Sequence, residues 1–513
     1  MSGDLTPELI SASRWTDEQV AASGMPVSDA ALVTIGGGLG SFALTDTLRI
    51  AGAPRSALRV LTTIDIPYQT YRLLAQNSQI PLHERIRSDA GSTIDNIWGF
   101  PSYAVREAWS AKGLSAKLDP LINVLLEPVG ADYWTPKAEQ VYRSVDREAA
   151  RIGWSSMLVK GAVRMIRARH GGGYFSVLTP PPPPGPSPDT PARMVVRSTY
   201  VHLAVGYPGL RFLDDLQAYR QAHGDFSRVV NAYEAHDHVY EELLRRPSTV
   251  VVRGSGIVGM RILVRLLEDR ERRGANTTIF HLFRNYVSGP QGDNPNFRRP
   301  GRNGFAYQGF NYPKAAWGGQ LKESLEKLEG PERARYIGLL GGTNVPHRRA
   351  WEALLERGRQ GGWYQQWVGQ VSSVAPGPNQ TIVTTITDPA GRSIPLAANF
   401  IIDATGLESD ISEHRLLADL LEHSAAGRNP SGRLDVEPTF EIRGTRNEPG
   451  RMYASGSSTL GGYYAGVDSF LGLQYAAVRI VDDLAAQGFG TRIGTSQSVR
   501  EWLRWMRNRP VPG

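Results

Sequence analysis

The hydrophobic pattern of this chain states one theme twice. A short apolar run, Ala31 to Ile35, leads into a glycine cluster and then into Phe42 to Ala51, which reads as a helix. The same order returns at Thr249 to Val252, a second glycine cluster, and Met260 to Arg272. Short unbroken apolar runs bounded by turn residues fit strands covered on both faces, and the longer periodic stretches fit the helices that cover them. Leu58–Thr62, Val195–Val205, Thr381–Thr387 and Phe400–Ala404 predict further strands. Ser156–Ile166 and Tyr174–Thr179, joined through Gly171-Gly172-Gly173, predict a hairpin. Thr135–Ile152, with Pro136 in its first turn and Gly153 as its stop, predicts a helix, as do His236–Arg246 and Ser469–Gln487. Pro180 to Pro191, five consecutive prolines and three more, predicts an extended loop. Strands alternating with helices define an α/β fold with parallel sheets. The order of elements places a second unit inside the first, with boundaries at 1–205, 206–375 and 376–513.

The glycines between strand and helix are spaced for chemistry. Gly36-Gly37-Gly38-Leu39-Gly40-Ser41 and Gly254-Ser255-Gly256-Ile257-Val258-Gly259 each sit where a dinucleotide-binding turn belongs. In such a turn the first glycine allows the sharp bend and the second lets backbone approach a pyrophosphate. The third lets helix pack on strand, and the phosphates rest at the helix N-terminus. Two turns predict two dinucleotides, each in a Rossmann-like domain, and a hydride passing between them. The strand Thr277–Phe283 ends at Arg284, where an acid would bind a free ribose hydroxyl and repel a 2′-phosphate. A guanidinium there favours NADPH over NADH, with Arg298, Arg299 and Arg302 available to the same anion.

Composition narrows the alternatives. The 513 residues are 41% apolar and 21% charged, ordinary globular values that predict two or three domains. Zero cysteines exclude disulfide frameworks, thiolate metal sites and dithiol redox chemistry, so a flavoprotein disulfide reductase is excluded. The histidines form no metal-ligand array; His236 and His238, the one close pair, read as surface helix residues. The formal charge of +7 suits anionic ligands, and two pyrophosphate sites account for part of it without nucleic acid. No apolar run is long enough for a transmembrane segment and the first residues do not form a secretory signal, so a cytoplasmic protein is expected. The basic, amphipathic Val499–Arg509 stretch is expected to dock on its own domain. Oligomeric state is not legible.

With these motifs in place, the chain resembles the two-dinucleotide flavoproteins and, among them, the class B flavin-dependent monooxygenases. The Gly36 turn looks like the family's FAD fingerprint and the Gly254 turn like its NADPH fingerprint. Leu203-Ala204-Val205-Gly206-Tyr207-Pro208 and Ile402-Asp403-Ala404-Thr405-Gly406 are similar to its two strand-end motifs. The resemblance implies FAD contacts at Gly36, Gly38, Leu39, Gly40, Ser41, Thr62, Asp65, Arg87, Ser88, Trp98, Ala162, Val163 and Gly206. Gly456, Ser457, Asp468, Ser469, Phe470 and Leu471 would close over the flavin, the helix N-terminus favouring the anionic reduced ring. It implies NADPH contacts at Gly254, Gly256, Ile257, Val258, Gly259, Arg284, Thr405 and Gly406, and a substrate-side loop carrying Tyr463 and Tyr464. No catalytic acid or base and no metal is implied.

Four departures separate the chain from the family pattern. Ser41 stands where a third glycine is usual, and Leu61-Thr62-Thr63 lacks the ribose-binding acid, with Asp65 as the nearest substitute. Gly456-Ser457 lacks the following aspartate, and Val229–Tyr240 replaces the signature of Baeyer–Villiger enzymes, so ketone oxygenation is not assigned. The implied reaction is NADPH-dependent monooxygenation of a small organic substrate by O2 through a flavin C4a-(hydro)peroxide. The alternatives are a flavin-dependent dehydrogenase or oxidase, and a non-enzymatic nucleotide-dependent binding protein.

Overall fold

The computed structural model describes residues 3–86, 102–126, 135–182, 192–284, 299–300, 306–307, 316, 318–340, 345 and 348–513. Two largely parallel sheets organise them. The first contains β1 (Arg14–Trp15), β2 (Val27–Ile35), β3 (Leu58–Thr62), β4 (Leu158–Lys160), β5 (Ala162–Arg169), β6 (Tyr174–Thr179) and β7 (Met194–Leu203), in the order β1-β5-β6-β7-β2-β3-β4. The second contains β8 (Val229–Asn231), β9 (Ser248–Arg253) and β10 (Thr277–Phe283), and continues after a short ribbon of β11 (Arg299–Pro300) and β12 (Ala306–Tyr307). It takes in β13 (Tyr364–Val368) and, beyond an antiparallel meander of β14 (Gln370–Pro376), β15 (Ile382–Thr387) and β16 (Ser393–Ala398), ends with β17 (Phe400–Asp403). Its order is β13-β10-β9-β17-β8. β18 (Arg451–Ala454) then returns to the first sheet, parallel to β7.

The two sheets repeat one plan. In each, a central strand (β2 or β9) runs through a glycine turn into a helix, α1 (Leu39–Ile50) or α2 (Ile257–Arg273). The next two parallel strands stack outward on one side, β3 and β4 or β10 and β13. An antiparallel excursion, β5–β6 or β14–β16, leads into the strand that closes the other side, β7 or β17. Apolar strand residues bury both faces. Val60 and Leu32 pack with Phe42 of α1 and with α3 (Phe470–Ala486), while Val33, Leu61 and Val201 face the helix Arg415–His423.

One boundary moves. β17 pairs with β9 and β8, so Phe400–Asp403 lies in the second sheet rather than in the returning first unit, while β14–β16 form a separate three-stranded sheet. The meander separates β17 from β13 in sequence, and local pattern does not show that the chain comes back. The terminal helix, α4 (Thr495–Met506), packs on its own unit: Arg106 and Arg147 lie over the Trp505 ring, and buried Arg49 holds the carbonyls of Val511 and Pro512.

Candidate functional site: two matched glycine turns

Each glycine turn is built against the end of the closing strand of its own sheet. Gly36 and Gly254 both have φ of 128°, in the region open to glycine. A Cβ on Gly36 would lie 2.2 Å from the Ala204 carbonyl oxygen, and one on Gly254 2.4 Å from that of Ala404. The strand-end motifs therefore press on the turns, and Gly206 and Thr405-Gly406 follow directly at the same edge. Gly38 and Gly256 cap α1 and α2 in extended conformations with no side-chain cap bond. The first N–H groups of both helices stay available to an anion, and a Cβ on Gly38 would meet nothing within 4 Å.

The departures acquire physical reasons. At the second turn a Cβ on Gly259 would come within 2.5 Å of the Gly254 carbonyl oxygen, so the third glycine is required. At the first turn, buried Ser41 accepts a hydrogen bond from the Gly37 N–H at 3.2 Å and shares one with the Thr34 hydroxyl at 2.9 Å, so the serine ties the turn from within. Thr62 does similar work from outside. Its hydroxyl donates to the Gly36 carbonyl at 3.3 Å and accepts from the Ile64 N–H at 3.0 Å. It leaves a Cβ on Gly37 only 2.0 Å of room. Asp65 lies just beyond, its exposed carboxylate paired with Lys160 at 2.6 Å. Ala162 and Val163 begin β5 beside that edge, paired with Thr179 and Leu178.

The returning segment lands on the same turn. The Ser455 N–H donates to the Leu203 carbonyl at 3.0 Å, and its Oγ lies 3.2 Å from where a Gly40 Cβ would stand. Gly456 and Ser457 follow, buried, and the Ser457 hydroxyl has no hydrogen-bond partner. Ser469 caps α3, accepting from the Gly472 N–H at 3.1 Å, with Phe470 and Leu471 in the first turn. Exposed Asp468 precedes it and accepts from the Tyr207 hydroxyl at 2.8 Å. Burial and the Asp468 charge push the Tyr233 hydroxyl up to about 12 and raise that of Tyr207 as well. Tyr71 meets Phe470 edge-on at 5.2 Å. This acidic, tyrosine-lined corner joins both units, since Tyr207 follows β7 and Tyr233 follows β8. Of it, sequence reasoning picked out Asp468 and Phe470 and missed Tyr71 and Tyr233, which come from distant segments.

Other expected residues fall elsewhere. Tyr464 is 2% exposed, stacked on Phe440 and donating to Glu326 and the Pro438 carbonyl. Tyr463 carries Arg333 over its ring at 3.6 Å and accepts from Arg443. Both pack in the core, because the glycines around them bring the loop inward. His236 is 1% exposed, not a surface residue; its ring bonds the Glu234 carbonyl and the Tyr240 hydroxyl, and burial lowers its pKa. His238 is exposed. Arg253, the last residue of β9 before the second turn, is buried against Asp215 at 2.6 Å, a pairing that accommodates a charge at this strand end. Arg284 stands exposed one residue past β10, on the edge that carries the second turn. Arg87, Ser88, Trp98, Arg298 and Arg302 lie outside the described residues.

The uncapped helix ends, the open space at Gly38 and the orphaned Ser457 hydroxyl fit a dinucleotide held between the first turn and the returning segment. Among the described residues, the second turn offers a matching cradle without such a lid.

The comparisons agree on the fold. No family model matches the chain, and no curated protein sequence matches it. Solved structures do. Ornithine hydroxylase PvdA from Pseudomonas aeruginosa is 14% identical, with 90% of this chain and 100% of that one covered at a TM-score of 0.61. The ornithine N-hydroxylase KtzI from Kutzneria sp. 744 is 14% identical over 90% and 100% at 0.60. DfoA from Erwinia amylovora, a cadaverine monooxygenase solved with FAD, is 12% identical over 90% and 96% at 0.62. The chain thus has the α/β fold seen in these hydroxylases and this monooxygenase. No helix among the described residues is long and apolar enough to cross a membrane.

Proposed function

We propose that this protein is an FAD-dependent, NADPH-using monooxygenase acting on a small amine. The observation that carries the reading is the pair of geometrically matched, uncapped glycine turns, one of them closed over by the Ser455–Leu471 segment. FAD bound at the first turn would accept a hydride from NADPH and supply the dioxygen chemistry; the chain supplies the geometry. The N-termini of α1 and α2 would hold the phosphates, and Arg284 would answer the 2′-phosphate. The N-terminus of α3 favours negative charge on a reduced flavin. The amine assignment draws on PvdA, KtzI and DfoA, named for ornithine and cadaverine chemistry. The Asp468, Tyr207 and Tyr233 corner supports it, because a carboxylate among phenol rings suits an ammonium group. Small molecules and O2 are then the partners, and a cytoplasmic location goes with NADPH supply.

The test is NADPH oxidation and O2 uptake by the FAD-loaded protein with ornithine, lysine, cadaverine and other amines. Substrate-stimulated turnover with a hydroxylamine product is expected. Flavin reduction with no amine-stimulated O2 uptake would favour a dehydrogenase instead, and O2 uptake released wholly as H2O2 with no hydroxylamine would favour an oxidase.

A further inference from the structure

A buried imidazole lies between the first glycine turn and the segment that closes over it. His202, in β7, is 0% exposed. Its Nδ1 is 2.8 Å from the Thr34 hydroxyl and its Nε2 is 2.9 Å from the Ser455 hydroxyl. The Thr34 hydroxyl in turn lies 2.9 Å from that of Ser41, and Ser41 accepts the Gly37 N–H at 3.2 Å. Each hydroxyl has one proton, so two orders complete the relay: Nδ1–H donates to Thr34 and Thr34 to Ser41 while bare Nε2 accepts from Ser455, or Ser41 donates to Thr34 and Thr34 to bare Nδ1 while Nε2–H donates to Ser455; either order uses a neutral ring. The neutral ring this requires is also the state that burial enforces, since desolvation lowers the His202 pKa to about 3. The relay spans residues from 34 to 455 and runs from a turn N–H to the segment holding Gly456 and the orphaned Ser457 hydroxyl.

We propose that His202 is a positioning residue that locks the first glycine turn and the Ser455–Ser457 segment into one preformed FAD cradle, an inference that rests on the flavoprotein reading above. His202 touches no reacting atom; it acts through Ser41 and Ser455. Cooperative relays lose most of their effect when any link is cut, so the links should behave as one unit.

FAD dissociation constants of wild type, His202→Asn, Ser455→Ala and the double variant test this. Each single change is expected to raise the constant at least about five-fold, and the double variant no further than the larger single. A purely local packing role predicts effects that multiply, and that outcome overturns the proposal, as does an unchanged FAD affinity in both singles. If His202→Asn does not fold, Thr34→Val against Thr34→Ser replaces it, with loss expected in the first and retention in the second. Wild type that takes up no FAD sinks the flavoprotein reading itself. Wild type that binds FAD beside indifferent variants sinks only this inference.

Discussion

Acidification from pH 8 to pH 5 should destabilise the fold chiefly through two buried histidines, with His236 and His414, lowered by burial too, adding in the same direction. His202 is held down to about 3 by burial. His281, whose Nε2–H donates to the Gly254 carbonyl at 2.8 Å while Nδ1 faces the Tyr364 hydroxyl at 2.9 Å, is held at about 4 by the same cause. Both pKa values lie below the ordinary 6.5. The unfolded chain therefore takes up protons first as pH falls, and stability declines from about pH 6.5 down to the folded values. At pH 5 each ring stands about 1.5 units below its unfolded pKa, worth about 2 kcal/mol, or about 4 kcal/mol for the pair. Carboxylates with lowered values, such as Asp17 and Glu271, lose their contribution only below about pH 4.5. Buried Asp403 is raised and works in the opposite sense. Urea unfolding at pH 8, 6.5 and 5 measures the effect. Unchanged stability between pH 6.5 and 5 would refute the reasoning, as would an identical decline in a His202→Asn, His281→Asn variant that folds at pH 8.

Three further outcomes follow from the geometry. Gly254→Ala, with its Cβ 2.4 Å from the Ala404 carbonyl oxygen at φ 128°, should abolish reduction by NADPH while FAD uptake persists; stopped-flow reduction and FAD titration check both. Arg284→Gln should weaken NADPH binding about 10-fold or more and leave NADH nearly untouched, since a hydrogen bond to a charged group contributes about 1.5–3 kcal/mol. Glu84→Ala removes the carboxylate held by Arg261 at 2.8 Å and Arg348 at 3.0 Å. It should cost about 3 kcal/mol by taking the carboxylate from the buried Arg261 guanidinium, read as a fall in melting temperature; an unshifted melting curve would show that this junction between the units contributes nothing.

What the sequence made legible was local. Gly36 and Gly254 announce their turns because only glycine fits φ 128°, and strand, turn and helix follow each other within about 20 residues. What stayed hidden was long-range. Nothing near Gly254 shows that Ala404, 150 positions later, is the wall that demands it, and nothing near β13 shows that β17 rejoins its sheet. Ser41 stood as a departure from the glycine pattern, and only the Thr34–His202–Ser455 relay reveals it as a link. Tyr464 looked like a loop residue facing substrate because glycines surround it, yet those glycines let the loop fold inward.

The most direct measurement is the visible spectrum of the purified protein with FAD, recorded anaerobically before and after NADPH and, separately, NADH. Tight uptake of one FAD per chain is expected, with bleaching of the oxidised flavin band by NADPH in clear preference to NADH. A protein that remains colourless with added FAD, or whose bound FAD is not reduced by NADPH, would contradict this expectation.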